Sequence, residues 1–157
     1  MLYFIVINPI PDVILTLTAD DNNLLRIDFG VQKPANAIKK ATPVLVLAAQ
    51  QLEEYFHGLR RDFTIPLKIN GTQFQQQVWQ ALTHIPYGMT HTYKELAETI
   101  GKPKASRAVG SACNRNPLPI IIPCHRVIGS SGSLTGYAGG LELKAMLLKM
   151  EENFIRK

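Results

Sequence analysis

Residues 116–132 read NPLPIIIPCHRVIGSSG, and this stretch carries the main clue to both fold and chemistry. The run PIIIP is typical of a short buried strand bounded by prolines, which would put Cys124 where that strand ends. The neighbouring His125 and Arg126 favour the thiolate, the reactive form of cysteine. Because successive side chains of an extended chain point to opposite faces, we expect a water molecule to link Cys124 and His125. The pattern indicates either a nucleophilic cysteine with a histidine base or a buried cysteine that only packs.

The other residues of this chemistry lie further away in the sequence. A histidine base needs an orienting carboxylate, and Glu151 and Glu152 near the end of a C-terminal helix are the candidates. Cys113, the second cysteine, lies on a helix of small residues with no base beside it, so we expect it only to pack.

The composition is that of a folded chain with a core. Of its 157 residues, 46% are hydrophobic and 18% are charged. Two cysteines are too few for a disulfide framework and lack the spacing of a structural zinc site, so we expect a reducing compartment and no metal. Residues 1–20 are apolar but contain prolines and no basic segment, so we interpret them as strand and not as a signal or membrane anchor.

The positive charge lies in the second half of the chain. Residues 1–70 carry seven Lys or Arg and seven Asp or Glu, whereas residues 71–157 carry ten and five. Between Lys94 and Arg126 there are six basic residues and only two acidic ones. Such a patch suits a polyanion such as nucleic acid, although many basic proteins never bind one.

The first half has the pattern of a small sheet with a helix. Alternating residues from Val13 to Thr18, the turn DDNN and the segment LLRIDFG predict a hairpin. An apolar stripe from Val44 to Phe56 predicts a helix that stops near Gly58. The segment FTIPLKI resembles a strand and leads to a domain boundary, which gives an α/β domain over 1–70 and a second domain over 71–157.

The second half is mainly helical. Thr72 with Gln75, and Thr92 with Glu95, have the spacing of capping boxes that begin two helices. A third helix follows Gly101, with Pro103 expected in its first turn. Two short helices joined by a tight glycine-containing turn predict a helix-turn-helix. The third helix has a small polar face that includes one long side chain, and this face either approaches another backbone or packs on a neighbouring helix: Arg107, Gly110, Ser111 and Asn114.

Residues 72–151 resemble the catalytic domain of the O6-alkylguanine-DNA alkyltransferases, also called methylated-DNA–protein-cysteine methyltransferases. The agreement runs in order through FQQQVWQAL, IPYG, TYKELA, RAVGSAC, NP, IPCHRVIG, GYAGG and LLKME. Residues 1–70 resemble the family's smaller N-terminal domain by the order of strands and helix. The resemblance implies a ribonuclease H-like α/β domain, with a small sheet plus helix, followed by a mainly α, winged-helix-like domain that contains the helix-turn-helix.

The resemblance also implies roles for single residues. Cys124 would attack the alkyl carbon on O6 of guanine, with His125 as the water-linked base and Glu151 holding His125. Asn116 would brace the turn beside the sulfur by hydrogen bonding. Tyr93 would donate to the guanine, so that it leaves as a neutral base.

DNA-binding and pocket residues are implied in the same way. Arg107 would enter the duplex and fill the gap left by the extruded nucleotide. The recognition helix would lie in the minor groove with its small polar residues against the DNA: Gly110, Ser111 and Asn114. The substrate pocket would be lined by Pro119, Tyr137, Gly139, Gly140 and Lys144.

The function implied by the resemblance is direct repair of O6-alkylguanine in duplex DNA, with base flipping and a single turnover for each molecule. O4-alkylthymine remains open as a second substrate. We expect no cofactor, no metal, no membrane contact, a monomer, and a cytoplasmic location, or a nuclear one in a eukaryote. Two alternatives remain: a DNA-binding lesion sensor with an inert cysteine, and a thiol hydrolase that uses Cys124 and His125.

Overall fold

The computed structural model describes residues 1–156 and divides the chain into two compact units, Met1–Ile69 and Asn70–Lys157. Within the described residues, none of the helices has the length and apolar composition needed to cross a lipid bilayer.

The first unit is a four-stranded sheet with one helix. Its elements are β1 Leu2–Ile10, β2 Val13–Ala19, β3 Leu24–Phe29, β4 Ala37–Lys39 and α1 Pro43–Phe56. The strand order is β3-β2-β1-β4, antiparallel except for the parallel pair β1 and β4. Alternate residues of β2 face the core, and the apolar stripe of α1 is buried with them: Leu15, Leu17, Leu45, Ala48, Leu52 and Tyr55.

The hairpin and the helix of this unit are confirmed, but two other sequence expectations are wrong. The expected strand FTIPLKI makes only a single bridge, between Leu67 and Leu24, because the proline at position 66 has no N–H to donate to a ladder. Strand β4 forms within a stretch that looked irregular in sequence. Its three residues pair with β1 and have no alternating pattern long enough to detect.

The second unit is built from four α-helices. They are α2 Gln73–Leu82, α3 Tyr93–Thr99, α4 Ser106–Asn114 and α5 Leu141–Ile155. Two short parallel strands, β5 His91–Thr92 and β6 Val127–Ile128, accompany them. Both expected capping boxes are present, since the side chains of Thr72 and Thr92 each accept the backbone N–H three residues later.

Helices α3 and α4 pack against each other and are joined by residues 100–105. Gly101 has a φ of 75°, which allows the chain to turn after α3. The expected start of α4 is corrected: the helix begins at Ser106, and Pro103 lies in the preceding turn. Two side chains in the connection, Lys102 and Lys104, are exposed.

One face of α4 is buried in the second unit. The buried residues are Val109, Ala112 and Cys113, whereas Ala108 is exposed. A Cβ on Gly110 would lie 3.8 Å from the Tyr93 ring. Gly110 therefore faces Tyr93, at a distance where a methyl group would make ordinary van der Waals contact. This favours the packing alternative at this one position.

Candidate active site

Cys124 lies on a series of tight turns, and the expected buried strand PIIIP is not formed. The Ile122 N–H donates to the carbonyl of Leu118 over 2.9 Å, and the Cys124 N–H donates to the carbonyl of Ile122 over 2.8 Å. Residues Cys124–Arg126 then form one 3-10 turn. Prolines at positions 117, 119 and 123 remove three donors from a segment of eight residues, which prevents a continuous strand ladder. The cysteine is consequently presented from a compact, buried loop.

Asn116 braces this loop from the C-terminal side of α4. Its Nδ2 donates to the carbonyl of Ile122 over 2.8 Å, and its Oδ1 accepts the N–H of Leu118 over 2.9 Å. One side chain thus satisfies two backbone groups that the prolines would otherwise leave without a ladder partner. Asn116 thus holds the carbonyl of Ile122, two residues before Cys124.

His125 is held by a carboxylate from helix α5. Its Nε2 donates to Oε2 of Glu151 over 2.6 Å, and both side chains are fully buried. With Nε2 protonated, Nδ1 is the ring nitrogen that can accept a proton. Burial lowers the pKa of His125 despite the opposing effect of Glu151, so the imidazole is neutral near pH 7 and can act as a base.

Arg126 is a member of this cluster that sequence reasoning missed. Its Nε donates to Oε1 of Glu151 over 2.9 Å, its second terminal nitrogen donates to Oε2 over 3.1 Å, and its first donates to the carbonyl of Ile85 over 2.8 Å. The guanidinium also lies over the ring of Tyr87, 5.5 Å from its centroid. A positive charge in an apolar stretch of sequence needs a buried partner, and this signal could have identified Arg126.

Glu151 is the centre of these contacts. In addition to His125 and Arg126, its Oε1 accepts the N–H of Gly88 over 3.1 Å. Burial alone would raise its pKa, but the hydrogen bonds from His125 and Arg126, together with the positive charge of Arg126, outweigh burial and bring the pKa down to about 2. Glu151 is therefore an anion that fixes the orientation of the imidazole. Glu152, the other candidate, instead pairs with Arg156 at the surface.

The thiol of Cys124 is protonated at neutral pH. Burial raises its pKa to about 11, although the hydrogen bond from Asn116 and the charge of Lys144 act in the opposite direction. This differs from the expectation that neighbouring basic residues would favour the thiolate, because desolvation disfavours the charged form more strongly. A sulfur in this state needs a base to become a nucleophile.

Lys144 is a buried cation that joins Tyr93 to the loop before α5. Its Nζ donates to the carbonyl of Thr135 over 2.7 Å and lies 3.5 Å from the Tyr93 hydroxyl. The Tyr93 hydroxyl itself donates to the same carbonyl over 3.3 Å. Burial lowers the pKa of Lys144 and raises the pKa of Tyr93, which keeps the phenol protonated and able to donate.

The other expected pocket residues lie on the segments around Cys124. Pro119 is buried and bridges to Ile122. Burial raises the pKa of Tyr137 well above its ordinary value, and the nearby Cys124 sulfur and Glu151 carboxylate act in the same direction. Gly140, with a φ of 93°, precedes α5 and donates its N–H to the carbonyl of Tyr137 over 2.9 Å. The adjacent Gly139 is half-buried.

The expected DNA-contacting residues are divided between surface and interior. Arg107 and Ser111 are exposed on α4, as a contact with DNA requires. Asn114 is exposed too, but its Oδ1 lies 3.2 Å from the position that a Cβ would take on Gly136. The other exposed basic side chains around these helices are Lys94, Lys102, Lys104 and Arg115.

Cys113 is buried near the same group. Burial raises its pKa to about 12. The nearby Cys124 sulfur acts in the same direction, and the charge of Lys144 acts in the opposite one. This thiol is thus inert at neutral pH, in keeping with a packing role. Across residues 1–156, no three His, Cys, Asp or Glu side chains are arranged to hold a metal ion.

Matches to two parts of one protein family cover most of the chain. The description "6-O-methylguanine DNA methyltransferase, DNA binding domain" matches residues 73–153. The description "6-O-methylguanine DNA methyltransferase, ribonuclease-like domain" matches residues 11–69.

Individual relatives are similar over most of their length. The methylated-DNA–protein-cysteine methyltransferase of Methanosarcina barkeri is 50% identical over 161 residues, covering 99% of this chain and 100% of its own. The constitutive enzyme of that name from Bacillus subtilis is 56% identical over 117 residues, 74% of this chain and 71% of its own.

Solved structures resemble the whole chain as well. The crystal structure of the Mycobacterium tuberculosis O6-methylguanine methyltransferase superposes with a TM-score of 0.88 at 41% identity, covering 98% of this chain and 94% of that one. A crystal structure of the M. tuberculosis protein in complex with DNA gives a TM-score of 0.87 at 42% identity, covering 98% and 93%.

Proposed function

The chain belongs to the 6-O-methylguanine DNA methyltransferase family, and from this membership we propose how it repairs alkylated DNA. The activity is that of a methylated-DNA–protein-cysteine methyltransferase, which transfers an alkyl group from DNA to a cysteine of the protein. The acceptor is Cys124, and the substrate is duplex DNA that contains O6-alkylguanine.

The observation that carries the assignment of Cys124 is the buried hydrogen-bonded series from Glu151 to His125, the residue next to the cysteine. The thiol is protonated at neutral pH, so it depends on a base. His125 is neutral and is oriented by an anionic carboxylate, which are the properties that a general base needs. Because adjacent side chains diverge, a water molecule passes the proton from the sulfur to His125.

The reaction is one displacement at carbon. The sulfur of Cys124 forms a bond to the alkyl carbon while the bond from that carbon to O6 of guanine breaks, and the electron pair of the broken bond stays on guanine. The thiol proton moves through water to His125, which then releases it to the solvent. Tyr93 donates a proton to the guanine and regains one from the solvent, so that the base leaves neutral. The net exchange is one alkyl group for one proton.

The product on the protein is a thioether, which offers no easy second step. A thioester can be hydrolysed, but a sulfur bound to an alkyl carbon has no carbonyl for water to attack. Each molecule therefore reacts once. Neither a cofactor nor a metal takes part in this balance of atoms.

The lesion has to leave the base stack before Cys124 can reach it. A stacked base does not expose its O6 substituent to a buried thiol, and extrusion costs a few kcal/mol, less for a weakened pair. Arg107, exposed near the start of α4, fills the space that the extruded nucleotide leaves. Ser111 and the surrounding lysines contact the DNA backbone in the minor groove.

The finer features of fold and setting belong to the same proposal. The first domain, 1–70, has a ribonuclease H-like arrangement and supports the second. The second, 71–157, is winged-helix-like and carries both the DNA-binding helices and the acceptor. We expect the protein to act as a monomer in the cytoplasm, or in the nucleus of a eukaryote.

The decisive experiment is an intact mass after incubation with a duplex that carries one O6-methylguanine, followed by peptide mapping. We expect the addition of one methyl group, on Cys124, that stops at one for each molecule. The variant Cys124→Ser should gain no mass, whereas Cys113→Ser should react like the unaltered protein.

The same experiment separates the alternatives. Tight binding to the lesion without any mass change would indicate a sensor, for which the exposed basic residues around α4 are the supporting feature. Neither binding nor mass change would return attention to a thiol hydrolase, to be tested by repeated turnover of a small ester.

A further inference from the structure

One residue of the loop from Asn116 to Cys124, here called the acceptor loop, has a backbone conformation that its own side chain disfavours. Ile120 has a φ of 76°, in the left-handed region. For a β-branched residue this conformation brings the side chain against neighbouring backbone atoms, so the backbone there is strained. The only other non-glycine residue with positive φ in 1–156 is Asn36, whose short polar side chain tolerates it.

Burial and two hydrogen bonds hold Ile120 in this conformation. Its side chain is 1% exposed, between the fully buried Leu118 and Ile122. The hydrogen bond from Ile122 to the carbonyl of Leu118 closes a five-residue turn with Ile120 at its centre. Asn116 accepts from one end of that turn and donates to the other. The conformation is thus imposed by its surroundings and not by the residue type.

The turn is connected directly to the acceptor. The carbonyl of Ile122 accepts two hydrogen bonds of 2.8 Å, one from Asn116 and one from the N–H of Cys124. If Ile120 moved to the right-handed region, the peptide planes on both sides of it would rotate. The Ile122 carbonyl would then lose its alignment with both donors.

Resting on the function proposed above, we propose that Ile120 is a positioning residue whose left-handed backbone sets the position of Cys124 relative to Asn116 and His125. Its buried side chain keeps the backbone in this state. Ile120 does no chemistry itself and acts only through the carbonyl of Ile122.

The proposal predicts an unusual order for two substitutions. In Ile120→Ala the packing is lost and the left-handed conformation stays unfavourable, so the turn relaxes. In Ile120→Gly the packing is lost too, but glycine adopts positive φ at no steric cost. We expect Ile120→Gly to transfer methyl about tenfold faster than Ile120→Ala at saturating duplex, with similar affinity for DNA. Loss of side-chain packing alone predicts the opposite order.

A matched pair at Ile122 provides the control. Ile122 is also fully buried, but its φ is not in the left-handed region. There, Ile122→Gly should be slower and less stable than Ile122→Ala, because glycine adds only backbone freedom. Circular dichroism and urea unfolding establish the folded fraction of each variant before rates are compared.

The outcomes distinguish this inference from the proposed function. If the unaltered protein gains no methyl on Cys124, the proposed function fails. If it gains one and Ile120→Gly is as slow as Ile120→Ala, the role of Ile120 is refuted. Should neither small variant fold, Ile120→Leu and Ile120→Val keep most of the buried volume. Ile120→Leu, which lacks the β branch, should then transfer faster, and the reverse order would refute the proposal.

Discussion

At the scale of single residues, Glu151 is ionised, whereas His125 and Cys124 are both neutral at pH 7. Glu151 stays ionised because Arg126, His125 and the Gly88 N–H all donate to it. His125 stays neutral because it is buried. Cys124 stays protonated for the same reason. Under the proposed function, the thiol therefore stays unreactive until a base removes its proton.

This arrangement predicts the pH dependence of transfer. As the pH falls, His125 gains a proton and the rate decreases, with a midpoint below 6.5, the ordinary pKa of histidine, because burial lowers the pKa. Between about pH 7 and 9 the rate should be nearly constant, since the thiol pKa lies at about 11. Single-turnover rates at saturating duplex measure this profile. A tenfold rise per pH unit over that range would mean that a free thiolate reacts without the base.

Arg126 makes a second residue-scale prediction. Arg126→Met leaves the buried Glu151 without its guanidinium, and removal of one partner of a buried ion pair costs about 3 to 5 kcal/mol. Arg126→Lys keeps the charge but not the two parallel hydrogen bonds, so its loss of stability should be smaller. Urea unfolding at neutral pH measures both. Equal stability of Arg126→Met and the unaltered protein would show that Glu151 does not depend on this contact.

At the scale of elements, α3 carries Tyr93 and α4 carries Arg107, and both residues have roles in the proposed function. Tyr93 begins α3 and points its hydroxyl at Thr135 and Lys144, while α4 exposes Arg107 on the other side of a buried face. Gly110 of α4 faces the Tyr93 ring at ordinary van der Waals distance. The helix proposed to bind DNA and the residue proposed to contact guanine therefore lie on two helices that pack against each other.

Arg107 is tested at this scale against Arg115, the residue that directly follows the same helix. Arg107→Ala should slow transfer from duplex DNA at saturation by about tenfold or more, because extrusion of a stacked base costs a few kcal/mol. Reaction with free O6-methylguanine base should not change. The control Arg115→Ala removes the same charge at the opposite end of α4, and it should weaken DNA affinity without slowing the saturated rate. Identical behaviour of the two variants would reduce Arg107 to a general electrostatic contact.

At the scale of the whole molecule, the buried cluster connects α5 to the acceptor loop and the chain near Gly88. Residues 88, 125, 126 and 151 meet through hydrogen bonds that span up to 63 positions of sequence. The folding of the second unit and the assembly of its active site are consequently the same event.

Acid stability follows from this connection. The folded-state pKa of Glu151 is lowered to about 2 from an ordinary 4.5, so its contribution to stability is full above 4.5 and lost as the pH falls towards 2. The lowered pKa of His125 acts in the same direction, because the unfolded state binds its proton more readily below about pH 6.5. Urea midpoints across this range should fall more steeply for the unaltered protein than for Glu151→Gln. Parallel curves would contradict this assignment.

The sequence by itself determined the features that depend on near neighbours. Both capping boxes, the apolar face of α1, the hairpin of β2 and β3 and the identity of the Cys124–His125 pair could be predicted, because their interactions lie within a few positions of one another. The motifs along residues 72–151 were specific enough to identify the family and to select Glu151 ahead of Glu152.

Only the tertiary structure decided the rest. PIIIP resembles a strand in sequence, but its prolines have no backbone N–H to donate to a neighbouring strand. The hydrogen bonds of Asn116 instead hold the segment in turns, with Ile120 in the left-handed region. The burial that raises the pKa of Cys124 depends on tertiary packing, and Arg126 meets Glu151 across 25 positions of sequence. Desolvation and long-range hydrogen bonds depend on what packs around a group, and no local pattern encodes that.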